Sequence, residues 1–294
     1  MVVSPKGDLL VALTAWLQAE RSVRAAVLFG SHARPPGSFA AADNWSDIDL
    51  HLVTNARERI IRTDWAKEIP GGHFCLQVLR PATGGVSKLT VLFDEGEADL
   101  VLVPPTFLRL AGLAMKLRFY HKVPMIREGL NSFSTIMRGG YKFLKGEKEW
   151  GWIYREVVSS MPGYRIVDAE IRKLADVFLC DLLWVLKKIE RGEYVAAQRI
   201  LHRVLHESNV LLLHELRTRQ NLPTFQQARR AEQLLSLDEL RIVQCSARLE
   251  HDDLHKAAWR AFDGLKKLML QLVPAWQVPV AMHQLLAAYG ERRG

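Results

Sequence analysis

The chain of 294 residues is long enough for two domains, and 49% of it is apolar, which is ample for hydrophobic cores. No apolar run approaches the roughly 20 residues of a membrane-spanning helix, so a membrane protein is excluded. Three widely spaced cysteines favour neither a disulfide framework nor a zinc site, and the amino terminus lacks the pattern of a signal peptide. We therefore expect a cytoplasmic protein. The sequence does not indicate its oligomeric state.

The formal net charge of +8 is unevenly distributed along the chain. Residues 1–105 hold 10 Lys and Arg against 12 Asp and Glu, whereas residues 106–294 hold 30 against 20. A basic surface attracts triphosphates, nucleic acids or acidic proteins. The basic residues are spread along predicted helices without a recognised binding motif, which favours a solvated helical surface over a nucleic-acid surface. The charge alone leaves a nucleic-acid surface open as an alternative.

Residues 1–105 alternate short β-rich runs with turn sequences. The pattern predicts a helix over residues 9–20, strands over 26–29, 48–53, 74–79, 89–93 and 100–103, and a second helix over 56–68. Turn sequences such as "RPPGS", "IPGG" and "DEGE" separate the strands. Helices and strands in this order predict an α+β domain with a mixed β-sheet.

Residues 106–294 have mainly helical periodicity. A helix is predicted over 105–117, a short strand over 124–127, and no clear pattern over the rest of 118–163. Apolar residues at helical spacing then predict helices over 171–189, 200–216, 237–273 and 278–289. The sequence therefore predicts a C-terminal helical bundle after a domain boundary at residue 105.

Two aspartates occupy alternate positions of the second predicted strand. Asp47 and Asp49 are two residues apart, so their side chains leave the same face of the strand. Neighbouring carboxylates repel each other unless a cation neutralises them, and Mg²⁺ prefers hard oxygen ligands. Asp99 begins the later run "DLVLV", and antiparallel pairing would bring it beside the first two. It would then complete a metal site or accept a proton from a hydroxyl group.

A glycine–serine pair follows the first predicted strand. Gly30 allows close approach of the backbone to a phosphate, and Ser31 offers an N–H group and a hydroxyl group to its oxygens. Arg34 adds a charge-assisted contact to the same anion. A D-x-D pair or a glycine after a strand is common by chance, but their order, together with Asp99, favours a nucleotide site.

At these residues the chain resembles the nucleotidyltransferase superfamily of polymerase β type, whose signature is glycine–serine, D-x-D and a further acidic residue on a later strand. More closely, it is similar to aminoglycoside (streptomycin) 6-adenylyltransferases, which share the arginine after the glycine–serine pair and a hairpin seen here as "VLFDEGEADLVLV". The motif similarity covers about residues 24–104, and a helical C-terminal domain follows in that family too.

The resemblance implies magnesium-dependent transfer of AMP from ATP to a hydroxyl group of a small-molecule acceptor, with release of pyrophosphate. Asp47, Asp49 and Asp99 would be the catalytic and metal-binding residues, and Gly30, Ser31 and Arg34 would bind the nucleotide. Aminoglycosides are polycations, and a basic helical half is not an obvious receptor for one. Two alternatives therefore remain: a nucleotidyltransferase acting on a protein or RNA, as antitoxin-like members do, and a catalytically silent nucleotide-binding member.

Overall fold

The chain folds into two compact units, residues 1–164 and 165–294. A computed structural model describes residues 7–290, apart from residues 63, 71, 83–84 and 226–227. The division lies well after the predicted boundary at residue 105. The difference arises because the chain after residue 105 returns to the β-sheet and adds a strand to it.

Within the described residues, the first unit is built on one six-stranded sheet with the order β3-β4-β5-β2-β1-β6. Its strands are β1 (Val23–Phe29), β2 (Ile48–Thr54), β3 (Phe74–Pro81), β4 (Ser87–Phe93), β5 (Gly96–Val103) and β6 (Tyr141–Lys145). Neighbouring strands are antiparallel except β2 and β5, which are parallel. The mixed sheet confirms the predicted α+β class, and β1 to β5 lie where strands were predicted.

The sixth strand has no counterpart among the predicted elements. β6 is five residues long and pairs antiparallel with β1, with Tyr141 opposite Phe29. Glycines flank it at positions 139, 140 and 146, and so short a run carries a weak periodic signal. Its pairing with a strand more than 100 residues earlier is a tertiary interaction, which local sequence patterns do not encode.

Six α-helices of the described residues belong to the first unit. They are α1 (Gly7–Ala19), α2 (Arg57–Ile61), α3 (Asp64–Lys67), α4 (Pro105–Leu117), α5 (Pro124–Met137) and α6 (Glu147–Ser160). The predicted helix over 56–68 is thus two short helices, with residue 63 outside the described residues. The predicted strand over 124–127 is wrong: α5 begins there, with proline in its first turn, where the missing N–H group costs nothing.

Each face of the sheet is covered by a separate hydrophobic core. Ile48, Leu50 and Leu52 of β2 pack on one face with residues of α1. Val53 and the strand residues of the other face pack with α4, α5 and α6. The alternation predicted for β2 is therefore confirmed, and it directs the odd-numbered residues of this strand, including Asp49, to the face opposite α1.

The second unit is helical in all its described elements. They are α7 (Asp168–Glu190), α8 (Tyr194–Ile200), a π-helical turn (Leu201–His206), α9 (Glu207–Arg219), α10 (Ala231–Leu234), α11 (Leu237–Val243), α12 (His251–Leu272) and α13 (Val280–Gly290). One core of leucine, alanine, valine and aromatic residues joins α7, α9 and α12. No helix in the described part of the chain is both long and apolar enough to cross a membrane.

His51 is a buried polar residue of β2 on the same face as Asp49. It is 7% exposed, and its ring lies against Phe29 and Phe133 at centroid distances of 4.8 and 5.8 Å. Its Nδ1 atom lies 3.4 Å from the hydroxyl oxygen of Tyr154. Burial disfavours the charged imidazolium and lowers the pKa of His51 from 6.5 to about 3.

Neutral burial of His51 makes the stability of the protein depend on pH. Its folded pKa lies below its unfolded pKa, so this contribution to stability is complete above pH 6.5 and is lost as the pH falls toward 3. We expect the free energy of unfolding to fall by up to about 1.4 kcal/mol per pH unit more in the wild type than in His51→Phe. Urea unfolding of both proteins between pH 7 and pH 4 measures the difference. Equal pH dependence in the two proteins would show that His51 does not carry it.

Candidate active site

The first strand ends in a tight turn that brings the backbone against Asp49. β1 is followed by a single 3₁₀ turn, Gly30–Ala33, and Gly30 has a φ angle of 71°, which side-chain-bearing residues rarely adopt. A Cβ atom at this position would overlap the Oδ2 atom of Asp49 and lie 3.3 Å from its Cγ atom. The glycine predicted to contact phosphate therefore also makes room for a predicted metal ligand.

The carboxylates meet because β2 and β5 are parallel neighbours. Asp49 lies directly opposite Asp99 in the register of these strands, and Asp47 immediately precedes β2. The predicted antiparallel pairing is wrong, because β5 forms its antiparallel ladder with β4 and presents its other edge to β2. The predicted proximity nevertheless holds, since parallel strands in register also place opposite residues side by side.

The three aspartates form one compact cluster. One oxygen from each of Asp47, Asp49 and Asp99 lies within 4.8 Å of the other two, and Asp99 is buried. Two like charges about 4 Å apart repel by about 4 kcal/mol at an effective dielectric constant of about 20. Such a cluster is costly without a cation, and its oxygen atoms are the donors that Mg²⁺ prefers. The residues present therefore fit a divalent cation.

The buried carboxylate of Asp99 is held from the neighbouring strand β4. Thr90, which pairs with Asp99 across the ladder, donates from its hydroxyl group to Oδ1 at 2.5 Å. The Nζ atom of Lys88 donates to Oδ2, also at 2.5 Å. Both oxygens of Asp99 thus accept a hydrogen bond from β4, and one of these donors carries a positive charge.

A fourth carboxylate, Glu97, lies on the same face of β5 two residues before Asp99. Its pKa is raised from 4.5, first by burial and then by the negative charges of Asp99 and Asp47. Glu97, Lys88 and Thr90 were not among the predicted site residues. The signal was present: the turn after Phe93 fixes the pairing of β4 with β5, and alternate residues of each strand share a face.

Arg34 follows the turn and organises the backbone around it. Its Nε atom donates to the carbonyl of Gly139 at 3.1 Å, and its Nη1 atom donates to the carbonyls of Ala40 at 3.0 Å and Phe39 at 3.4 Å. These bonds tie the loop after β1 to the end of α5. The phosphate contact predicted for Arg34 stays a prediction.

Ser31 presents an unsatisfied polar atom in the same turn. Its hydroxyl oxygen is buried and has no hydrogen-bond partner among the described residues. Its backbone carbonyl is used locally, accepting from the N–H groups of Arg34 and Ala42. A buried hydroxyl group without a partner is costly, and a bound phosphate would supply the missing acceptor.

Comparisons with known proteins give structural similarity only. No protein-family model matches the chain, and no curated protein matches its sequence. Its structure is similar to an aminoglycoside 6-adenyltransferase from Bacillus subtilis, with 12% identity and a TM-score of 0.41 over 98% of both chains. It is also similar to a nucleotidyltransferase-like protein from Exiguobacterium sibiricum 255-15, with 12% identity and a TM-score of 0.30 over 91% of this chain and 76% of that one.

Replacing Gly30 tests the close approach of the turn to Asp49. In Gly30→Ala the added methyl group would displace the Asp49 carboxylate, and the positive φ angle would be strained. We expect Mn²⁺ affinity, measured by titration followed by electron paramagnetic resonance, to fall at least about tenfold, because one ligand no longer reaches the cluster.

Gly192→Ala is the matched control for this substitution. Gly192 has a nearly identical φ angle of 72°, but nothing lies within 4 Å of an added Cβ atom. We expect it to share the backbone strain of Gly30→Ala and to keep wild-type Mn²⁺ affinity. An equal loss of affinity in both variants would mean that strain, and not contact with Asp49, is responsible.

Proposed function

We propose that the protein is a magnesium-dependent nucleotidyltransferase that moves AMP from ATP to a hydroxyl group of a small-molecule acceptor. The observation that carries this proposal is the convergence of Asp47, Asp49 and Asp99 within 4.8 Å of one another beside a glycine–serine turn. Carboxylates held this close offer the oxygen ligands that a divalent cation prefers, and a turn with a buried, unsatisfied hydroxyl group suits a phosphate.

In this proposal Asp47 and Asp49 would hold Mg²⁺, and the bound ion would supply charge neutralisation at the phosphates and polarisation of the α-phosphoryl group. Asp99 completes the cluster or accepts the proton of the acceptor hydroxyl group. A bond forms between the acceptor oxygen and the α-phosphorus, and the bond from that phosphorus to the bridging oxygen breaks. Pyrophosphate leaves with the bonding electrons, and the chain contributes mainly positioning and charge neutralisation.

The phosphates would be bound by the turn after β1. Ser31 donates from its hydroxyl group and Gly30 lets the backbone approach an anion closely. Arg34 adds positive charge; three of its hydrogen bonds already hold the loop, so its contribution is partly the shape of the turn.

An aminoglycoside is the acceptor that the motif resemblance favours. The basic charge of residues 106–294 favours a different acceptor, since a polycation binds best to an acidic surface. The same chemistry on a protein or an RNA is therefore the second candidate. The intact cluster of three aspartates counts against the third, a catalytically silent nucleotide-binding protein, because loss of these ligands is the simplest route to that state.

The proposal predicts that pyrophosphate release depends on Asp49. We expect Asp49→Asn to lower Mg²⁺-dependent release from ATP, assayed with streptomycin and a panel of aminoglycosides, by at least about 100-fold. Asp94→Asn is the control, because Asp94 is an exposed aspartate in the turn directly after β4. We expect its rate to stay within about twofold of the wild type.

The outcomes separate the candidates. Wild-type turnover in Asp49→Asn would reject the site assignment. Release that requires an aminoglycoside would establish an antibiotic adenylyltransferase. Transfer of label from α-³²P-ATP to a protein or RNA, with no response to aminoglycosides, would establish the second candidate. ATP binding without Mg²⁺-dependent transfer to any acceptor class would establish the silent one.

A further inference from the structure

The loop between β1 and β2 presents a tryptophan to solvent beside the aspartate cluster. Trp45 is 92% exposed, more than any other large apolar residue in the described part of the chain. It lies two residues before Asp47, so the Cα atoms of the two residues are at most about 7 Å apart. An indole buries roughly 150–250 Å² when it is covered. Trp45 therefore offers a large, flat apolar surface close to a predicted metal ligand.

The backbone of this loop is fixed although the Trp45 side chain packs against little of the chain. Oδ1 of Asp43 accepts from the N–H group of Trp45 at 2.9 Å and from the hydroxyl group of Ser46 at 3.0 Å. The N–H group of Ala42 donates to the carbonyl of Ser31 at 3.1 Å, which joins the loop to the glycine–serine turn. Backbone bonds thus hold Trp45 near the turn, and its indole ring is left available to a ligand.

The loop lies on the side of the site where the proposed function places the nucleotide. It begins at the glycine–serine turn and connects β1 to β2, which are neighbours in the sheet. Asp99, which would complete the cluster or take the proton of the acceptor, lies on β5 at the other edge of β2. An aromatic ring on the β1 side is therefore placed to meet the nucleotide and not the acceptor.

We propose that Trp45 forms a nucleobase subsite, in which its indole ring stacks on the adenine of ATP. The base is the flat, apolar part of the nucleotide, and an aromatic face binds such a ring by stacking. This inference rests on the proposed function, which accounts for the phosphates and the metal, and it adds the residue that binds the base.

Nucleotide binding without an acceptor tests the subsite. One probe is the Mg²⁺ complex of α,β-methylene-ATP, which resists release of AMP; the other is Mg²⁺ tripolyphosphate, which lacks the base and the ribose. Isothermal titration calorimetry gives the dissociation constants. We expect Trp45→Ala to bind the ATP analogue at least about fivefold more weakly than the wild type and to keep its affinity for tripolyphosphate within about twofold. Trp45→Phe, which keeps an aromatic face, is expected to lose less.

Trp184→Ala is the matched control, because Trp184 is a second exposed tryptophan, on α7, and is 61% exposed. We expect it to bind both probes as the wild type does. Wild-type affinity of Trp45→Ala for the ATP analogue would overturn the inference. An equal loss of affinity for tripolyphosphate would also overturn it, since the loop and not the base contact would then be responsible.

Asp49→Asn separates this inference from the proposed function. If Asp49→Asn weakens binding of the ATP analogue and Trp45→Ala does not, the nucleobase subsite alone is rejected. A wild type that binds neither probe in the presence of Mg²⁺ would reject both the subsite and the proposed function.

Discussion

Electrostatic repulsion among carboxylates is the constraint on which the arrangement of this site depends. The parallel pairing of β2 with β5 places Asp49 directly opposite Asp99, and Asp47 completes a cluster whose oxygens lie within 4.8 Å of one another. The sheet is what keeps these groups together, because main-chain hydrogen bonds fix the register and a one-residue slip would turn an aspartate to the other face. The same proximity that costs stability makes the cluster suited to a divalent cation.

The rest of the first unit holds that register in place. Apolar residues of β2 point into the core formed with α1, while His51 and Val53 point into the core formed with α4, α5 and α6. β2 is therefore buried on both faces and paired along both edges, which leaves it little freedom to shift. β4 acts on the site directly, since Lys88 and Thr90 hold Asp99 from the next strand. The turn at Gly30 approaches Asp49 from the opposite edge of β2, where β1 pairs with it.

Prediction from the sequence succeeded where the signal is local. Short β-rich runs separated by turn sequences located β1 to β5, and the spacing of Asp47 and Asp49 placed them on one face. Prediction failed where the structure of a segment depends on pairing with a distant part of the chain. β6 exists as a strand because it pairs with β1, and the orientation of β5 relative to β2 depends on where the chain enters the sheet. The sequence around Pro124 predicts a short strand, although a proline in the first turn is equally typical of a helix, which is what the structure has there.

By itself the sequence determined the residue types of the site, the α+β class and the shared face of Asp47 and Asp49, because these follow from short-range patterns and from the chemistry of the side chains. Only the tertiary structure decided the parallel pairing, the extent of the first unit to residue 164, and the engagement of Asp99 by Lys88 and Thr90. It also showed that the Arg34 guanidinium donates hydrogen bonds to backbone carbonyl groups. The physical reason is that these contacts join strands and loops far apart in the chain, and their geometry is fixed by the packing of the whole sheet.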